Sequence, residues 1–431
     1  MPLRLDSRDP AFSAAFTALV DGRREADADV SRDVAAIIAR VRAEGDVAIA
    51  DYTKRFDRHD LDASGWRIDP AQCHSALDAL DPDLRASLEL AAERIRAYHA
   101  AQRPSDSDTV DAAGVRMGAR WTAIASAGLY VPGGRAAYPS SVLMNAIPAK
   151  VAGVDRLVMV TPTPDGHINP LVLAAAAIAG VDEVWRIGGA QAIAALAYGT
   201  GMIAPVDVIV GPGNAWVAEA KRQLFGVVGI DMVAGPSEIV VVADSANDPA
   251  WIAADLLSQA EHDPTSQSIL ITDDADFADK VCEAVDMQLR KLATETTARA
   301  SWSHNGAIIL VGALGEVPAL SDRLAPEHLE LAVADPQALF DRIRHAGSVF
   351  LGRHTPEAVG DYVAGPNHVL PTGRRARFCS GLSVLDFIKR TSFIALDPAS
   401  IARIGPAAVA LATAEGLPAH AASVALRLEK I

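Results

Sequence analysis

The chain has 431 residues, half of them hydrophobic, which predicts two or three domains with a sizeable core. Its formal net charge of −15 argues against general binding to nucleic acids or anionic membranes, because phosphate groups attract clustered Lys and Arg. Three cysteines, distant in sequence and without a CxxC pair, argue against a disulfide framework or a thiolate metal site. We find neither a signal-peptide pattern nor an apolar run of membrane-spanning length, so we expect a cytoplasmic protein.

The first part of the chain has a helical pattern. We predict a short arm over residues 1–25 and a helical segment over 26–125, and we expect this segment to pack on the second of two α/β domains. Apolar residues at helical spacing predict helices over 30–55 and 80–102. The apolar positions are Val34, Ile37, Ile38 and Val41 in the first helix, and Leu84, Leu88 and Ile95 in the second.

From about residue 120, short β-rich runs alternate with Ala-rich helices. This alternation is typical of parallel sheets that helices cover on both faces. We predict two α/β domains, 126–237 and 238–382, followed by a mostly helical tail, 383–431, that could lie on a partner subunit. The predicted strands include RLVMVTP (156–162), EVWRIGG (183–189), VDVIVGPG (206–213), EIVVVAD (238–244), SILIT (268–272), AIILV (307–311) and SVFLG (348–352).

Glycine-rich turns recur between these elements. Such turns at the carboxyl ends of parallel strands let a ligand approach the backbone, and the next helix N-terminus favours anions such as a pyrophosphate. Four of them in one chain favour a nucleotide-sized ligand, although none matches GxGxxG and each could be an ordinary βα turn. The turns are YVPGGR (130–135), RIGGAQA (186–192), VGPGNAW (210–216) and VAGPSE (233–238).

The stretch LLSQAEHDPTSQ, residues 256–267, ends an apolar helix that we expect to stop at Pro264. Gln259 and His262 are three residues apart, so they would share one helix face. With Asp361 and His420 they make a set of nitrogen and oxygen ligands suitable for Zn²⁺, Mn²⁺ or Co²⁺. The same residues could equally be a polar helix end, a helix cap and a surface histidine.

Glu327 and His328 are adjacent in LAPEHLEL, where a loop stiffened by Pro326 leads into a predicted strand. A carboxylate and an imidazole side by side can divide the work of activating water and accepting protons near neutral pH. The alternative is a solvated pair of loop residues.

The motifs taken together resemble the histidinol dehydrogenase family. The resemblance extends from about residue 51 to the C-terminal helix, and its specificity lies in the order of many motifs. These are YVPGG, IGGAQAIAALAYGT, GPGNAWV, AKRQLFG, DMVAGPSE, LLSQAEHDP, RLAPEHLEL, GDYVAGPNHVLPT, SGLSVLDFIKRTSF and EGLPAHAAS.

The resemblance implies two incomplete Rossmann-like domains and a homodimer in which the tail crosses to the partner. It implies one Zn²⁺ per subunit and NAD, with L-histidinol oxidised twice through the aldehyde to L-histidine. The implied roles are as follows: metal ligands Gln259, His262, Asp361 and His420; acid–base residues Glu327 and His328; further substrate contacts Ser237, His368 and Glu415, beside the metal and acid–base residues; NAD contacts Tyr130, Gln191 and Asn214.

Three other functions remain open at this point. A dehydrogenase with the same metal site could act on another small polar alcohol. A zinc hydrolase could use water activated by Glu327, although the number of Gly-rich turns argues against it. A metal-binding scaffold without activity would lose no rate on substitution of Glu327 or His328.

Overall fold

The described part of the chain forms two six-stranded sheets and one small antiparallel sheet, surrounded by helices. The computed structural model describes residues 1–22, 28–133, 138–233 and 235–430. Parts of the predicted arm, of YVPGGR and of VAGPSE, together with the last residue of the tail, lie outside the described residues. Within the described ranges, no helix has the length and apolar character needed to cross a membrane.

Each of the seven predicted β-rich runs contains a strand, several further strands were not predicted, and several helices begin at a proline behind an Asp or Asn cap. The strands are β1 Leu3–Asp6, β2 Arg67–Ile68, β3 Ser107–Val110, β4 Arg116–Ala123, β5 Ser126–Tyr130, β6 Arg156–Val160, β7 Glu183–Trp185, β8 Val208–Val210, β9 Gly229–Ile230, β10 Glu238–Ala243, β11 Gln267–Thr272, β12 Ala307–Leu310, β13 His328–Ala332, β14 Ser348–Leu351 and β15 Ile388–Ala395. The helices are α1 Phe12–Asp21, α2 Ala28–Glu44, α3 Asp46–Asp57, α4 Leu61–Ser64, α5 Pro70–Asp78, α6 Pro82–Ala100, α7 Pro139–Ala152, α8 Pro170–Ala179, α9 Gly189–Tyr198, α10 Ala215–Leu224, α11 Pro249–Ala260, α12 Ala275–Leu289, α13 Glu295–Asn305, α14 Val317–Leu324, α15 Pro336–Phe340, α16 Glu357–Tyr362, α17 Pro398–Ala414 and α18 Pro418–Leu428.

The first sheet has the order β2-β7-β6-β5-β8-β9 and is parallel except for the β2–β7 pair. The chain runs outward from β5 through β6 to β7 and then returns to the other side of β5 with β8. This reversal creates a crevice at the carboxyl ends of β5 and β8, where α/β proteins usually bind ligands.

The N-terminal helices pack on this first sheet. Helices α2 and α3 contact α9, and α5 and α6 contact α8 and α7. The apolar residues Val34, Ile37 and Val41 of α2 enter the same core as Ile193 of α9. The prediction that the helical segment packs on the second α/β domain is therefore wrong, because its apolar face fills the groove above the Ala-rich helices of the first.

The second sheet is wholly parallel, with the order β1-β12-β11-β10-β13-β14. Its reversal lies between β10 and β13, which are neighbours with Ile239 opposite His328. The N-terminal arm contributes the edge strand β1, which pairs with β12 at the far side of the sheet. Its central strands β10 and β11 are fully buried and rich in Val, Ile and Leu, which explains why continuous apolar runs located them in the sequence.

A three-stranded antiparallel sheet joins the tail to the segment before the first domain. The eight-residue β15 pairs with β4 along its whole length, and β4 pairs with β3. Helices were predicted there, and this sheet was missed because its strands lie near the surface and contain no continuous apolar run. The tail then continues into the predicted helices α17 and α18.

Candidate active site between the two sheets

A cleft of about 340 Å³ lies between the two sheets. Its first wall consists of residues that follow strands of the first sheet, including Gly211, Gly213 and Asn214 after β8. Its second wall consists of residues that precede strands of the second sheet, including Ser237 before β10 and Glu327 before β13. The carboxyl edge of one sheet therefore faces the amino edge of the other.

The backbone of Glu238 holds both Glu327 and His328. The N–H of Glu238 donates to Oε2 of Glu327 at 3.0 Å, and its carbonyl oxygen lies 3.1 Å from Nδ1 of His328. Both side chains are buried, and His328 opens β13 as the sequence predicted. A single residue at the start of β10 thus fixes the orientation of the carboxylate and the imidazole.

The surroundings of this pair favour proton acceptance. A carbonyl can only accept, so Nδ1 of His328 carries the proton of the neutral ring and Nε2 keeps its lone pair. Burial lowers the pKa of His328 and raises the pKa of Glu327 well above its usual value. Near neutral pH His328 is consequently an unprotonated base, and Glu327 is a far stronger base than a solvated glutamate.

Gln259 ends α11 with its side chain at the cleft, and the side chain is only 1% exposed. Among the described residues, neither its amide oxygen nor its amide nitrogen has a hydrogen-bond partner. Burying an amide without partners costs roughly 1–3 kcal/mol, so the side chain is arranged for a ligand that the polypeptide does not supply.

His262 lies in a turn after α11, which ends at Ala260. The helix therefore stops earlier than predicted, and the two residues do not share a helix face. The physical reason is Asp263, whose Oδ1 accepts hydrogen bonds from the backbone N–H and the hydroxyl of Thr265 and so forms a competing turn. His262 nevertheless lines the same cleft as Gln259 and is exposed to it.

Two carboxylates meet opposite His328. Its Nε2 lies 3.8 Å from Oε1 of Glu357 and 3.8 Å from Oδ1 of Asp361, and the three ligand atoms all lie within 4.8 Å of one another. Burial, and then the neighbouring charge of Glu357, raise the pKa of Asp361. Two carboxyl groups that close hold a proton or a cation between them, since both charges cannot remain unpaired in a buried site.

Sequence analysis missed Glu357. It lies one helical turn before Asp361 on α16, is 2% exposed, and accepts a hydrogen bond from the hydroxyl of Ser258 at 3.1 Å. The signal was its spacing of four residues from Asp361, which places both carboxylates on one helix face.

His368 connects the two walls. Its Nδ1 lies 3.0 Å from the carbonyl oxygen of Asp361, and its Nε2 lies 3.4 Å from the hydroxyl of Ser141 on α7. Desolvation of the ring lowers the pKa of His368 to about 4, so the ring stays neutral. Ser237, half-buried, lines the same space.

The three predicted NAD contacts lie in the first domain, and only Asn214 lines the cleft. Asn214 caps α10, its Oδ1 accepting from the N–H groups of Trp216 and Val217. Tyr130 and Gln191 are buried beside the turn that opens α9, where the N–H of Gly189 donates to the Tyr130 hydroxyl at 3.1 Å. Burial raises the pKa of Tyr130 to about 12.

Glu415 and His420 are not part of the cleft within this chain. Both are exposed, on the connection between α17 and α18 and on α18 itself. The two tail helices bury almost nothing in their own chain, since only Ser400 and Gly405 of α17 are buried and α18 has no buried residue among those described.

This donor set fits a divalent cation. Gln259 offers an amide oxygen without a partner, His262 an accessible imidazole, and Asp361 a carboxylate crowded by a second one. Such neutral nitrogen and mixed oxygen ligands suit Zn²⁺. The cleft thus combines the two buried proton acceptors Glu327 and His328, a site for a cation and a facing wall of glycine-rich turns. Together these features define a metal-dependent α/β enzyme of the dehydrogenase class.

Comparison with known proteins identifies the family. A family profile described as histidinol dehydrogenase matches residues 21–428. The chain is 68% identical to the histidinol dehydrogenase of Zymomonas mobilis and 63% identical to that of Rhodospirillum rubrum, and the alignments cover 100% of this chain and at least 99% of each relative. The crystal structure of histidinol dehydrogenase from Elizabethkingia anophelis superposes with a TM-score of 0.94 at 35% identity, covering 100% of this chain and 98% of that one.

The chain therefore belongs to the histidinol dehydrogenase family, and the predicted α/β class with two parallel-sheet domains is confirmed. It is an NAD-dependent oxidoreductase of histidine biosynthesis, in a family that uses NAD and Zn²⁺.

Proposed function

We propose that this cleft oxidises L-histidinol twice, through L-histidinaldehyde to L-histidine, with two NAD molecules accepting the hydrides in turn. The observation that carries the proposal is the buried pair Glu327–His328, oriented by one backbone residue in the cleft that Gln259, His262 and Asp361 also line. Alcohol oxidation needs a proton acceptor for the hydroxyl group and aldehyde hydration needs one for water, and the pair offers one buried group for each step.

His328 acts in the first oxidation. Its Nε2 accepts the hydroxyl proton of the substrate as the carbinol hydride departs, which leaves the aldehyde. This role follows from the hydrogen bond at Nδ1, which leaves Nε2 unprotonated, and from the buried surroundings that keep the ring neutral. Among the described residues Nε2 has no hydrogen-bond partner, so it is available to a substrate.

Glu327 acts in the second oxidation. Its carboxylate takes a proton from water as the water oxygen bonds to the aldehyde carbon, the resulting hydrate anion passes the second hydride to NAD, and the acid formed loses its proton to solvent to give the carboxylate product. A raised pKa makes Glu327 a strong enough base for this step, because general bases work best with a pKa near the working pH.

Gln259, His262 and Asp361 would hold Zn²⁺, which when bound fixes the substrate's imidazole and amino nitrogens and supplies positioning rather than proton transfer. Ser237 and His368, which line the same space, would contact the substrate. Glu357 would keep Asp361 oriented on α16, through the carboxyl contact between the two residues.

The first wall would bind NAD. Asn214 faces the cleft, and Tyr130 and Gln191 border the turn at the N-terminus of α9, where backbone N–H groups suit a pyrophosphate. With NAD bound on this wall, the nicotinamide would lie across the cleft from His328. A cytoplasmic location is proposed with this role, since NAD-linked amino-acid synthesis takes place there.

A homodimer would complete the site. We propose that α17 and α18 cross to a partner subunit, so that His420 becomes the fourth metal ligand and Glu415 a substrate contact of the partner's cleft. The support is that both residues are exposed and outside the cleft of their own chain, on helices with large exposed apolar residues. These include Ile404, Leu411, Leu417 and Leu426.

The first experiment measures NADH formed per L-histidinol consumed, before and after chelation. The proposal predicts two NADH per substrate, loss of activity on chelation and recovery with Zn²⁺. One NADH per substrate would mean that the aldehyde escapes and the step assigned to Glu327 is wrong. No NADH from folded, zinc-loaded protein would point to another small polar alcohol as substrate.

The tail crossing is tested by mixing two inactive variants, H262N and H420N. In mixed dimers one cleft would have both variant residues and the other cleft neither, so the preparation should recover about a quarter of the wild-type activity after random exchange and about half if every dimer is mixed. No recovery in dimers confirmed to be mixed contradicts the crossing and leaves the chemistry of the cleft untouched.

A further inference from the structure

A buried ion pair lies at the edge of the first wall, away from the residues that the proposed chemistry uses. Lys221 on α10 and Asp231, which follows β9, are in direct contact, and their side chains are 3% and 1% exposed. Both border the cleft. A buried ion pair costs desolvation of two charges and often stabilises a fold no better than apolar residues would, so its position requires another explanation.

Both members of the pair bind the same glycine. Nζ of Lys221 donates to the carbonyl oxygen of Gly211 at 3.0 Å, and Oδ2 of Asp231 accepts from the N–H of Gly211 at 2.8 Å. The other oxygen, Oδ1, accepts from the N–H of Met232 at 2.6 Å. The pair thus clamps the first residue of the turn Gly211–Asn214 from both sides.

Gly211 is also pressed against the predicted NAD contact Tyr130. Its φ is +109°, in a region that residues with a side chain rarely adopt. A Cβ at Gly211 would collide with the carbonyl oxygen of Tyr130. Since Asn214 ends the same turn and faces the cleft, the conformation at Gly211 sets the position of two residues of the first wall relative to each other.

We infer that Lys221 and Asp231 are positioning residues for NAD: their ion pair holds the turn Gly211–Asn214 in the conformation that receives the cofactor. The inference rests on the proposed function, because it takes the first wall as the NAD site. It concerns residues that touch neither the substrate nor the metal ligands. The pair therefore acts on NAD binding and leaves zinc content and histidinol binding unchanged.

The test uses the zinc-loaded full-length enzyme and steady-state kinetics with each substrate varied. In K221M/D231N both charges are removed together, so neither is left buried alone. The KM for NAD should rise by about 10- to 100-fold, as expected for a misplaced binding group. Zinc content, the KM for histidinol and the kcat at saturating NAD should change much less.

K221R is the charge-retaining variant, and R222M is the matched control. Arginine keeps the ion pair but cannot place its donors where the ammonium lies, so a smaller rise in the KM for NAD is expected. Arg222, the next residue on α10, forms an exposed ion pair with Glu219, and its loss should not affect NAD.

The inference is overturned if K221M/D231N or K221R folds with lower thermal stability but an unchanged KM for NAD. The ion pair would then have a purely structural role. Wild-type enzyme that forms two NADH per histidinol separates this failure from failure of the proposed function. If the wild type formed no NADH with histidinol, the proposed function itself would fail first.

Discussion

The two walls of the cleft differ in composition: backbone turns form the first, and ionisable or metal-ligating side chains form the second. The first wall consists of backbone turns after β5 and β8, with glycines and helix N-termini and few ionisable side chains directed into the cleft. The second wall consists of side chains that titrate or ligate, placed before β10 and β13, at the end of α11 and on α16. Both domains have a largely parallel sheet in which the strand order reverses once. The first sheet presents the carboxyl ends of its strands to the cleft, and the second sheet presents the amino ends.

The difference separates recognition from chemistry. Parallel sheets usually bind ligands at the carboxyl ends of their strands, and the first domain follows that rule. The second domain uses the amino ends, where parallel pairing of β10 and β13 lets the backbone of Glu238 hold Glu327 and His328 together. Changes in the second wall should therefore affect catalysis, and changes in the first wall should affect NAD binding.

The largest effect is expected from E327Q. The amide retains the oxygen that accepts from Glu238 but cannot take a proton from water, so oxidation of supplied histidinaldehyde should fall by about 10²- to 10⁴-fold. Oxidation of histidinol to the aldehyde should fall far less, because His328 serves that step. The two half-reactions are measured separately, and equal losses in both would contradict the division of roles.

H262N should weaken zinc binding at the second wall. Removal of a direct ligand should weaken zinc binding by more than the roughly 10- to 100-fold seen on loss of an outer partner, with activity lost in parallel. Metal content after dialysis and activity with added zinc are the measurements. H74N, at an exposed histidine on α5, is the control. Full zinc retention in H262N would remove His262 from the site.

G211A should disturb the turn Gly211–Asn214 in the first wall and leave the metal and proton-accepting residues of the second wall in place. The added Cβ needs a strained backbone and meets the carbonyl of Tyr130, so the turn must move. We expect the KM for NAD to rise roughly tenfold, with zinc content unchanged.

G226A is the matched control for G211A. Gly226 lies in the same domain, just after α10, and has a similar φ of +100°, but no described atom lies within 4 Å of an added Cβ. It should show the backbone cost in thermal stability without the effect on NAD. An equal rise in the KM for NAD in both variants would show that destabilisation of the domain, rather than the turn, is responsible.

The contrast between the walls also explains what the sequence could predict. Buried strands such as β10 and β11 are continuous apolar runs, and the pair Glu327–His328 is adjacent in the chain, so both could be located from local patterns. The sequence could not predict which sheet the N-terminal helices pack on, because an apolar helix face such as that of α2 fits either sheet. The metal site needs residues from α11, α16 and the tail, whose meeting depends on tertiary structure. Glu357 was missed because its four-residue spacing from Asp361 indicates a shared face only once 357–362 is known to be a helix, and that helix is only six residues long.

The smallest effect concerns a pair of carboxyl groups on the second wall's side of the fold. Glu330, two residues after His328 on β13, is 1% exposed and is hydrogen-bonded to Asp255 on α11. Burial raises the pKa of both groups. The folded protein consequently holds protons here that the unfolded chain releases at lower pH, and its stability falls as pH rises from about 4.3 toward the raised values.

E330Q should remove much of that decline. The amide is neutral at every pH, can donate to Asp255, and can still accept the backbone N–H of Glu357 as the carboxyl group does. We expect little change in thermal stability at pH 5, and a gain of roughly 1–3 kcal/mol over the wild type at pH 9. Melting temperatures across this range, with zinc present throughout, measure it. The exposed Glu93 on α6 offers the control E93Q, which should run parallel to the wild type. If stability declined as steeply in E330Q as in the wild type, the pH dependence would arise from the carboxylates that line the cleft. The buried Glu330–Asp255 pair behind the second wall would then not limit stability at high pH.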